Sequence, residues 1–283
     1  MKLSIWHQYC LPQHFLSRFL GRIANIRCKF FKNLMIKLVI KKFKVNMSEA
    51  QFENLDHYAS FNEFFIRHLK ADARPFPHNN LLLASPSDGV ISQFGQIKEG
   101  RLIQAKGHDF SLMELLGGES SAYKEFLDGE FATIYLSPKD YHRIHMPLSG
   151  NLRQMTYVPG KLFSVSPKTT TMVPELFARN ERVICCFDSE FGPFALVLVG
   201  AFFVASIATS WAGVIAPNNI RKVQNWDYAP DQQIHLKQGD EMGYFQFGST
   251  VIMLLPKGMT SWRPELTSEQ FVKLGQVLAN IDQ

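Results

Sequence analysis

Cysteine is scarce in this chain, four among 283 residues, and the four (Cys10, Cys28, Cys185 and Cys186) include no C-x-x-C pair. They make a poor metal or disulfide framework, and a reducing compartment is the simpler setting. Glycine (18) and proline (14) are too few for a collagen-like or low-complexity chain, and no internal repeat is present to build a solenoid. Charged residues make up 19% against 46% hydrophobic. That balance excludes intrinsic disorder and leaves an ordinary globular protein of one large or two small domains. The most informative absence is of acid: residues 1–46 contain no Asp or Glu.

Those positions carry ten cations: Lys2, Arg18, Arg22, Arg27, Lys29, Lys32, Lys37, Lys41, Lys42 and Lys44. The whole chain has 30 basic and 25 acidic residues, so setting these ten aside leaves 20 basic against 25 acidic. A basic arm therefore precedes a mildly acidic body, and the arm calls for an anionic partner. Leu11, Phe15, Phe19, Ile23, Ile26 and Phe30 recur at three- and four-residue steps, with Leu16, Leu20 and Phe31 beside them. This spacing predicts a helix, and Arg18, Arg22, Lys29 and Lys32 fall on its other faces. A basic amphipathic helix of this kind suits a membrane interface, apolar side among acyl chains and cations at anionic headgroups. The alternative is a helix packed on the body with its basic side solvated. Nucleic acid is disfavoured for want of polar base-reading groups. Arg and Lys are scattered too evenly for a secretory signal, and Leu34–Ile40 is too short to span a bilayer.

From Phe191 to Ile220 no residue is charged, and Phe194–Ala216 has the hydropathy of a transmembrane helix. Gly200 and Gly213 interrupt it, Pro193 and Pro217 bound it, and its β-branched and aromatic residues come in short runs. Buried strands are the better reading, with a spanning helix as the alternative. Ser48-Glu-Ala-Gln51 and Ser60-Phe-Asn-Glu63 fit capping boxes and predict helices at about 48–57 and 60–70. Beyond residue 82, apolar runs alternate with turn signals such as Asp88-Gly89, Glu99-Gly100 and Ser149-Gly150. Short helices are predicted at Leu112–Leu116, Ala122–Leu127 and Pro174–Ala178, and a terminal one at Ser268–Ile281. The fold class is α+β: a basic amphipathic helical N-terminal region, then a β-rich catalytic body with short helices.

Three places can carry chemistry. The first is the pair His142 and His145 in Tyr141-His-Arg-Ile-His-Met-Pro147. An H-x-x-H pair can ligate metal, but no carboxylate or cysteine cluster completes a set, so no metal is expected; a structural pair is the plain alternative. The second is Phe247-Gly248-Ser249-Thr250 before the apolar run Val251–Leu255. Small polar residues ahead of a strand usually make a turn. A hydrolase elbow G-x-S-x-G is absent, because Phe247 and Val251 occupy the positions that need glycine. What Gly248 does permit is attack of the Ser249 hydroxyl on the preceding carbonyl, given a base and a group to orient it. The third is Asp88 in Ser85-Pro-Ser-Asp-Gly-Val-Ile91, by itself a turn leading into a strand. Together Asp88, His145 and Ser249 supply the acid, imidazole and hydroxyl of a charge-relay set.

Beyond these residue types, the chain resembles the bacterial, prokaryotic type I phosphatidylserine decarboxylases, which are pyruvoyl-dependent. The likeness covers nearly the whole length: FNEFFIRHLK at 61–70, PSDGVISQFG at 86–95, QAKGHDFSL at 104–112, YLSPKDYHRIHMP at 135–147, YVPGKLFSV at 157–165, LFARNERVICCFDSEFGP at 176–193, WAGVI at 211–215 and EMGYFQFGST at 241–250. The KDYHRIHMP and FGST blocks are the specific ones. Two departures, Phe247 where leucine is frequent and Ser87 where alanine is common, remove no reacting group.

The resemblance implies that Ser249 is the self-cleaving serine, His145 its base, Asp88 the acid orienting that base, and His142 a further active-site histidine. It implies serinolysis between Gly248 and Ser249, giving a β chain 1–248 and an α chain 249–283 whose Ser249 becomes a covalent pyruvoyl cofactor. That group forms a Schiff base with phosphatidylserine, and phosphatidylethanolamine and CO2 result. On this reading residues 1–70 are a helical membrane-associating region and 71–283 the catalytic domain. The partners are the lipid substrate, an anionic membrane surface through residues 1–46, and the chain's own two fragments as a heterodimer, with a higher homo-oligomer left open and no nucleic acid. The location implied is peripheral, on the cytoplasmic side of the cell membrane. A serine lipid hydrolase with an intact chain, or a lipid-binding module with structural histidines, are the rival classes.

Overall fold

The computed structural model describes residues 8–9, 11–77, 79–105, 107–118, 121–202, 206–216, 221–229, 234–246 and 249–282. Along the chain, helices α1 (Gln13–Ala24), α2 (Lys29–Phe43) and α3 (Phe61–Phe65) precede strands β1 (Leu82–Ala84), β2 (Gly89–Gln96), β3 (Arg101–Ala105) and β4 (His108–Ser111). Then come α4 (Leu112–Leu115), α5 (Ser121–Phe126), β5 (Glu130–Leu136), β6 (Arg143–His145), β7 (Gly150–Val158), α6 (Pro167–Thr170) and α7 (Leu176–Arg179). Next are β8 (Arg182–Ser189), β9 (Gly192–Val199), β10 (Ser206–Thr209), β11 (Gly213–Ala216), β12 (Gln224–Asp227) and β13 (His235–Leu236). The last are β14 (Glu241–Gln246), β15 (Ser249–Leu255), β16 (Thr260–Trp262), β17 (Phe271–Val272) and β18 (Val277–Ile281). Helices thus lead and strands follow, an α+β fold.

The large sheet runs β12-β7-β8-β9-β15-β5-β2-β17, with β13 also on β7. A second sheet runs β11-β10-β14-β6, and β18 lies between β1 and β16 in a third. On β15, Val251, Met253 and Leu255 join one core cluster while Ile252 and Leu254 join the other. β9 divides in the same way, Leu196 and Leu198 to one side, Ala195, Val197 and Val199 to the other. Strands covered on both faces need no polar alternation, which is why this part of the sequence reads as an unbroken apolar run. The run holds β9, β10 and β11, with residues 203–205 outside the described set. No described helix is long and apolar enough to cross a membrane.

The N-terminal arm differs from the single helix that the periodicity predicts. α1 ends at Asn25, whose side chain donates to the Gly21 carbonyl (2.8 Å), and α2 starts after Cys28. α1 turns Gln13, Ser17, Gly21 and Ala24 inward, and its larger apolar groups stay outside, Phe15 64% and Phe19 50% exposed. Gln13 Oε1 accepts from Leu162 N (2.7 Å) and Gln8 Oε1 from Ser164 N (2.9 Å), so amides dock the arm on the body. Lys32 is the exception among the described cations of the arm. It is buried and donates to the Leu55 carbonyl (2.9 Å).

Two further expectations are corrected. Over 48–57 only Leu55–His57 is helical, as a 3-10 turn, because Ala50 is drawn into a bridge with Leu69. Residues 268–281 are strands β17 and β18 rather than a helix. Phe271, Leu274 and Leu278 have helical spacing, but Gly275 turns the chain at φ +81° and Leu278, Ala279 and Ile281 enter the core from a strand. The box at Ser60 does start a helix, its Oγ accepting from Glu63 N (3.2 Å), though α3 stops at Phe65. The insertions at α4, α5 and α7 lie where the sequence places them.

One buried cation fixes how α4 and α7 end. Arg182 has no carboxylate partner among the described residues; its guanidinium donates to the carbonyls of Leu115 (2.6 Å), Ala178 (2.6 Å), Asn180 (2.8 Å) and Glu114. Burial pulls its pKa down to about 9, so it stays charged at pH 7 and serves as the shared C-terminal cap of both helices. Arg182→Met leaves these carbonyls unpaired and is expected to cost about 3–5 kcal/mol, read from the urea midpoint of the uncut Ser249→Ala chain. A loss below about 1 kcal/mol would show that the cap is dispensable.

Candidate active site

β5, β2 and β15 end together. Tyr135 on β5 pairs with Val90 on β2 and with Thr250 on β15, and Leu136 pairs with Ser249. Asp88 thus lies just ahead of β2 and Ser249 opens β15 at the same end of the sheet. The chain enters β15 from β14, which belongs to the other sheet, so Ser249 stands where the backbone passes between two sheets. Its side chain is fully buried and its Oγ has no partner among the described residues. Phe247 and Gly248 lie outside the described residues, and with them the first half of the predicted cleavage site.

His142 sits beside that strand start. Its backbone carbonyl accepts from Phe245 N (3.0 Å), close before Ser249 in the chain. Its ring nitrogen Nε2 lies 3.0 Å from the carbonyl of Ser137, the residue after Leu136. A carbonyl only accepts, so Nε2 carries the proton and Nδ1 is a bare lone pair. That Nδ1 is buried and has no partner among the described residues. Ser137 is fixed in turn by Asp140, whose carboxylate takes both its N–H and its hydroxyl (2.7 Å each). The Phe65 ring stacks on the imidazole at 4.2 Å. Burial, helped by the positive charge of Arg67, lowers the His142 pKa to about 3. The ring is neutral at pH 7.

His145 and Asp88 are neighbours through the backbone, His145 N donating to Pro86 O (2.9 Å). Their side chains do not bond each other. His145 Nδ1 donates to Gly239 O (2.7 Å), and Nε2 takes the Tyr141 hydroxyl (3.1 Å). At Gly239 a φ of +90° and the Phe76 ring 3.1 Å from the site of a Cβ both disfavour a side chain. Burial lowers the His145 pKa as well. The Asp88 carboxylate is held elsewhere: Oδ1 accepts from Arg74 Nε (2.7 Å) and Leu274 N (2.8 Å), and Oδ2 from Arg74 Nη2 (2.5 Å). The bond expected from Asp88 to the imidazole of His145 is thus replaced by Gly239 on one partner and Arg74 on the other.

The residues Arg74, Tyr141, Phe65 and Arg67 escape a reading by residue type. Arg74 looks like part of a helix stop before two prolines, and Tyr141 and Phe65 like core aromatics. Tyr141 lies inside the block that holds both histidines and Phe65 and Arg67 inside the separate block at 61–70, while Arg74 lies in none of them. No group of three or more His, Cys, Asp or Glu side chains able to hold a metal ion occurs among the described residues.

The family model described as phosphatidylserine decarboxylase matches residues 61–280, and a second model, described as PSD, matches residues 3–44. The chain is 52% identical over its full length to the phosphatidylserine decarboxylase proenzyme of Hahella chejuensis, covering 95% of that protein. It is 49% identical to the protein of the same name from Idiomarina loihiensis, covering 97% of it, and 52% identical to that of Pseudomonas fluorescens, covering 96%. The chain belongs to the phosphatidylserine decarboxylase family. Within that family's matched region stand Ser249, both histidines and Asp88, and the word proenzyme in the relatives' names refers to a precursor.

For a phosphatidylserine decarboxylase sequence, the neutral His142 carries a measurable consequence. Unfolded, its ring binds a proton below pH 6.5; folded, it stays bare down to about pH 3. The unfolded state therefore binds more protons across that window, and stability is present above pH 6.5 and falls as pH drops. Between pH 7 and pH 5 this group alone is expected to remove about 2 kcal/mol. In the uncut Ser249→Ala chain, His142→Gln should lessen the acid loss by that amount. Identical pH slopes in denaturant titrations would contradict the assignment.

Proposed function

We propose that the chain is a self-processing decarboxylase. It cuts itself between Gly248 and Ser249 into a β chain 1–248 and an α chain 249–283, then converts phosphatidylserine to phosphatidylethanolamine and CO2 at a covalent pyruvoyl group derived from Ser249. The observation that carries the reading is the buried, unpartnered Ser249 hydroxyl at the start of a central strand, paired with Leu136, whose chain neighbour Ser137 holds an imidazole with a bare nitrogen. The absence of a G-x-S-x-G elbow argues against the hydrolase alternative.

In the first reaction His145, kept neutral by burial, takes the Ser249 proton, for which the Tyr141 hydroxyl must turn away from Nε2. As Oγ bonds to the Gly248 carbonyl carbon, the peptide C–N bond breaks and the amine takes up a proton, leaving an ester. Loss of the Ser249 Cα proton then breaks the Cβ–Oγ bond, freeing a Gly248 carboxylate and leaving dehydroalanine. Water converts that residue to the α-keto acyl group and ammonia. Asp88 is paired with Arg74 and bears on the base only through its own chain segment, where Pro86 O ties down the His145 backbone. Gly239 orients the imidazole. The pyruvoyl ketone supplies the electron-withdrawing centre to which the substrate amine is joined. His142, with Nε2–H fixed on Ser137, offers Nδ1 for the proton that replaces the lost carboxylate.

We read residues 1–70 as the membrane-associating region and 71–283 as the catalytic body, held peripherally at the cytoplasmic face. Phe15 and Phe19 on α1, and Phe30 (80% exposed), Leu34 and Leu38 on α2, are exposed at four-residue steps. Cations Arg18, Arg22, Lys37 and Lys41 lie exposed around them. Large apolar groups exposed in such stripes mark an interface. The anionic lipid surface would draw in the cations, and no nucleic acid is needed to account for them.

Two measurements test these readings. The intact mass of the purified chain should show two fragments meeting at Gly248 and Ser249, the smaller lighter by one ammonia than a serine-started peptide once the backbone cut is counted, with Ser249→Ala uncut. A single unmodified mass in folded wild-type protein would reopen the hydrolase. The triple variant Phe15→Ser, Phe19→Ser, Phe30→Ser should still self-cleave, yet its partitioning into anionic vesicles should fall at least about tenfold, since each inserted phenylalanine is worth about 1.5–3 kcal/mol. Unchanged sedimentation with the vesicles would remove the arm from membrane contact.

A further inference from the structure

Arg67 lies two residues beyond Phe65, the ring that stacks on His142. Its side chain is almost completely buried, yet only Nη2 is engaged, donating to Lys139 O (3.1 Å). Nε and Nη1 have no partner among the described residues. The guanidinium carbon lies 5.3 Å from the centre of the Phe64 ring. Carboxylates are near but committed: Asp88 to Arg74 and Leu274, Asp140 to Ser137. They act on Arg67 only through space, while its charge is felt at His142. A buried cation with two idle donors and no contacting anion is destabilising, and such a group commonly marks a place where an anion is received.

The surroundings say which anion. An apolar cavity of about 370 Å³ is lined by Leu20 and Ile23 of α1, Val39 of α2, Phe61 and Phe65 of α3, and Tyr135 of β5. Phe65 forms both the cavity wall and the cover of His142, and Tyr135 pairs with Thr250 next to Ser249. The cavity wall includes Phe65 and Pro138, and Arg67 stands next behind both, two residues after Phe65 in the chain and bonded through Nη2 to the carbonyl of Lys139, the residue after Pro138. A phospholipid has the same succession of acyl chain, phosphodiester and amino-acid headgroup.

We infer that Arg67 is the phosphodiester-binding residue of the substrate pocket, its Nε and Nη1 donating to the non-bridging oxygens. The inference rests on the reading of Ser249 as the reactive centre. The substrate carboxylate is the wrong ligand for this cation. Its charge leaves as neutral CO2, so an arginine on it would stabilise the ground state more than the transition state and slow the reaction. The phosphodiester keeps its charge throughout. Pairing it gives uniform binding, which is expressed in KM rather than kcat.

The test uses the full-length, self-cleaved enzyme with Arg67→Met and Arg67→Lys, assayed on dihexanoyl phosphatidylserine. Both variants should cut themselves, which scores the Ser249 reading separately. Arg67→Met should raise KM about tenfold to a hundredfold with kcat within about threefold, and lysine should recover most of the loss. Two competitors add a readout that a structural role would not move. The ratio of Ki values for neutral dihexanoylglycerol and charged dihexanoyl phosphatidylglycerol should collapse about tenfold in Arg67→Met. If Arg67→Met does not fold, Arg67→Gln carries the same expectations. Unchanged KM, an equal loss of affinity for both competitors, or a folded Arg67→Met chain that stays uncut would each overturn the proposal.

Discussion

Everything at the site depends on β15 being covered on both faces and both edges. Its side chains are apolar from Val251 to Leu255, and β5 and β9 take its backbone hydrogen bonds. A strand so placed cannot shift register by one residue without exchanging its two core sets, so its first residue is located as firmly as its middle. Ser249 is that first residue. The core is therefore what aims the hydroxyl, and the polar groups around it only have to meet it.

Those polar groups are arranged so that charge is kept off the histidines. Burial acts on both rings; Asp88 and Asp140 are committed to Arg74 and Ser137, and Glu241, whose charge partly offsets burial at His145, is paired with Arg143. His142 Nε2 and His145 Nδ1 both donate to backbone carbonyls, Ser137 and Gly239, so the tautomers are set by main chain rather than by acids. Main-chain partners do not titrate. The imidazoles are thereby held neutral while the cations, Arg67 and Arg74, are engaged elsewhere.

How much of this could be read from the sequence depended on whether the signal was local. The Ser60–Glu63 box, the short helices after Ser111 and around Ala122, and the strands of Phe194–Ala216 were legible because capping chemistry and strand-length apolar runs are local properties, though β11 at the end of that run is an exposed edge strand, not a buried one. The segment after Ser48 was not, since a bridge from Ala50 to Leu69 outweighs its capping motif. Nor was the C-terminal segment, where helical spacing at Phe271, Leu274 and Leu278 competes with sheet partners distant in sequence. The candidate acid, imidazole and hydroxyl types were legible, and the family blocks grouped them. The partners of Asp88 were not, because Arg74 and Leu274 come from opposite sides of Ser249 in the chain and only the fold makes them neighbours.

That last contact bears on what a cut before Ser249 would do to the molecule as a material object. Asp88 clasps Leu274 across the break, β15 is threaded between β5 and β9, β17 sits on β2, and β18 lies against β1. The short C-terminal fragment would be interwoven with its parent at four separate places, so it could not leave without dismantling the sheets. Assembly would be a one-way event: a single chain finds the fold with its ends tethered, and two chains separated by denaturant must find it again by collision. Maturation would then resemble removing the scaffolding from a finished arch, harmless to the standing structure and decisive against rebuilding it.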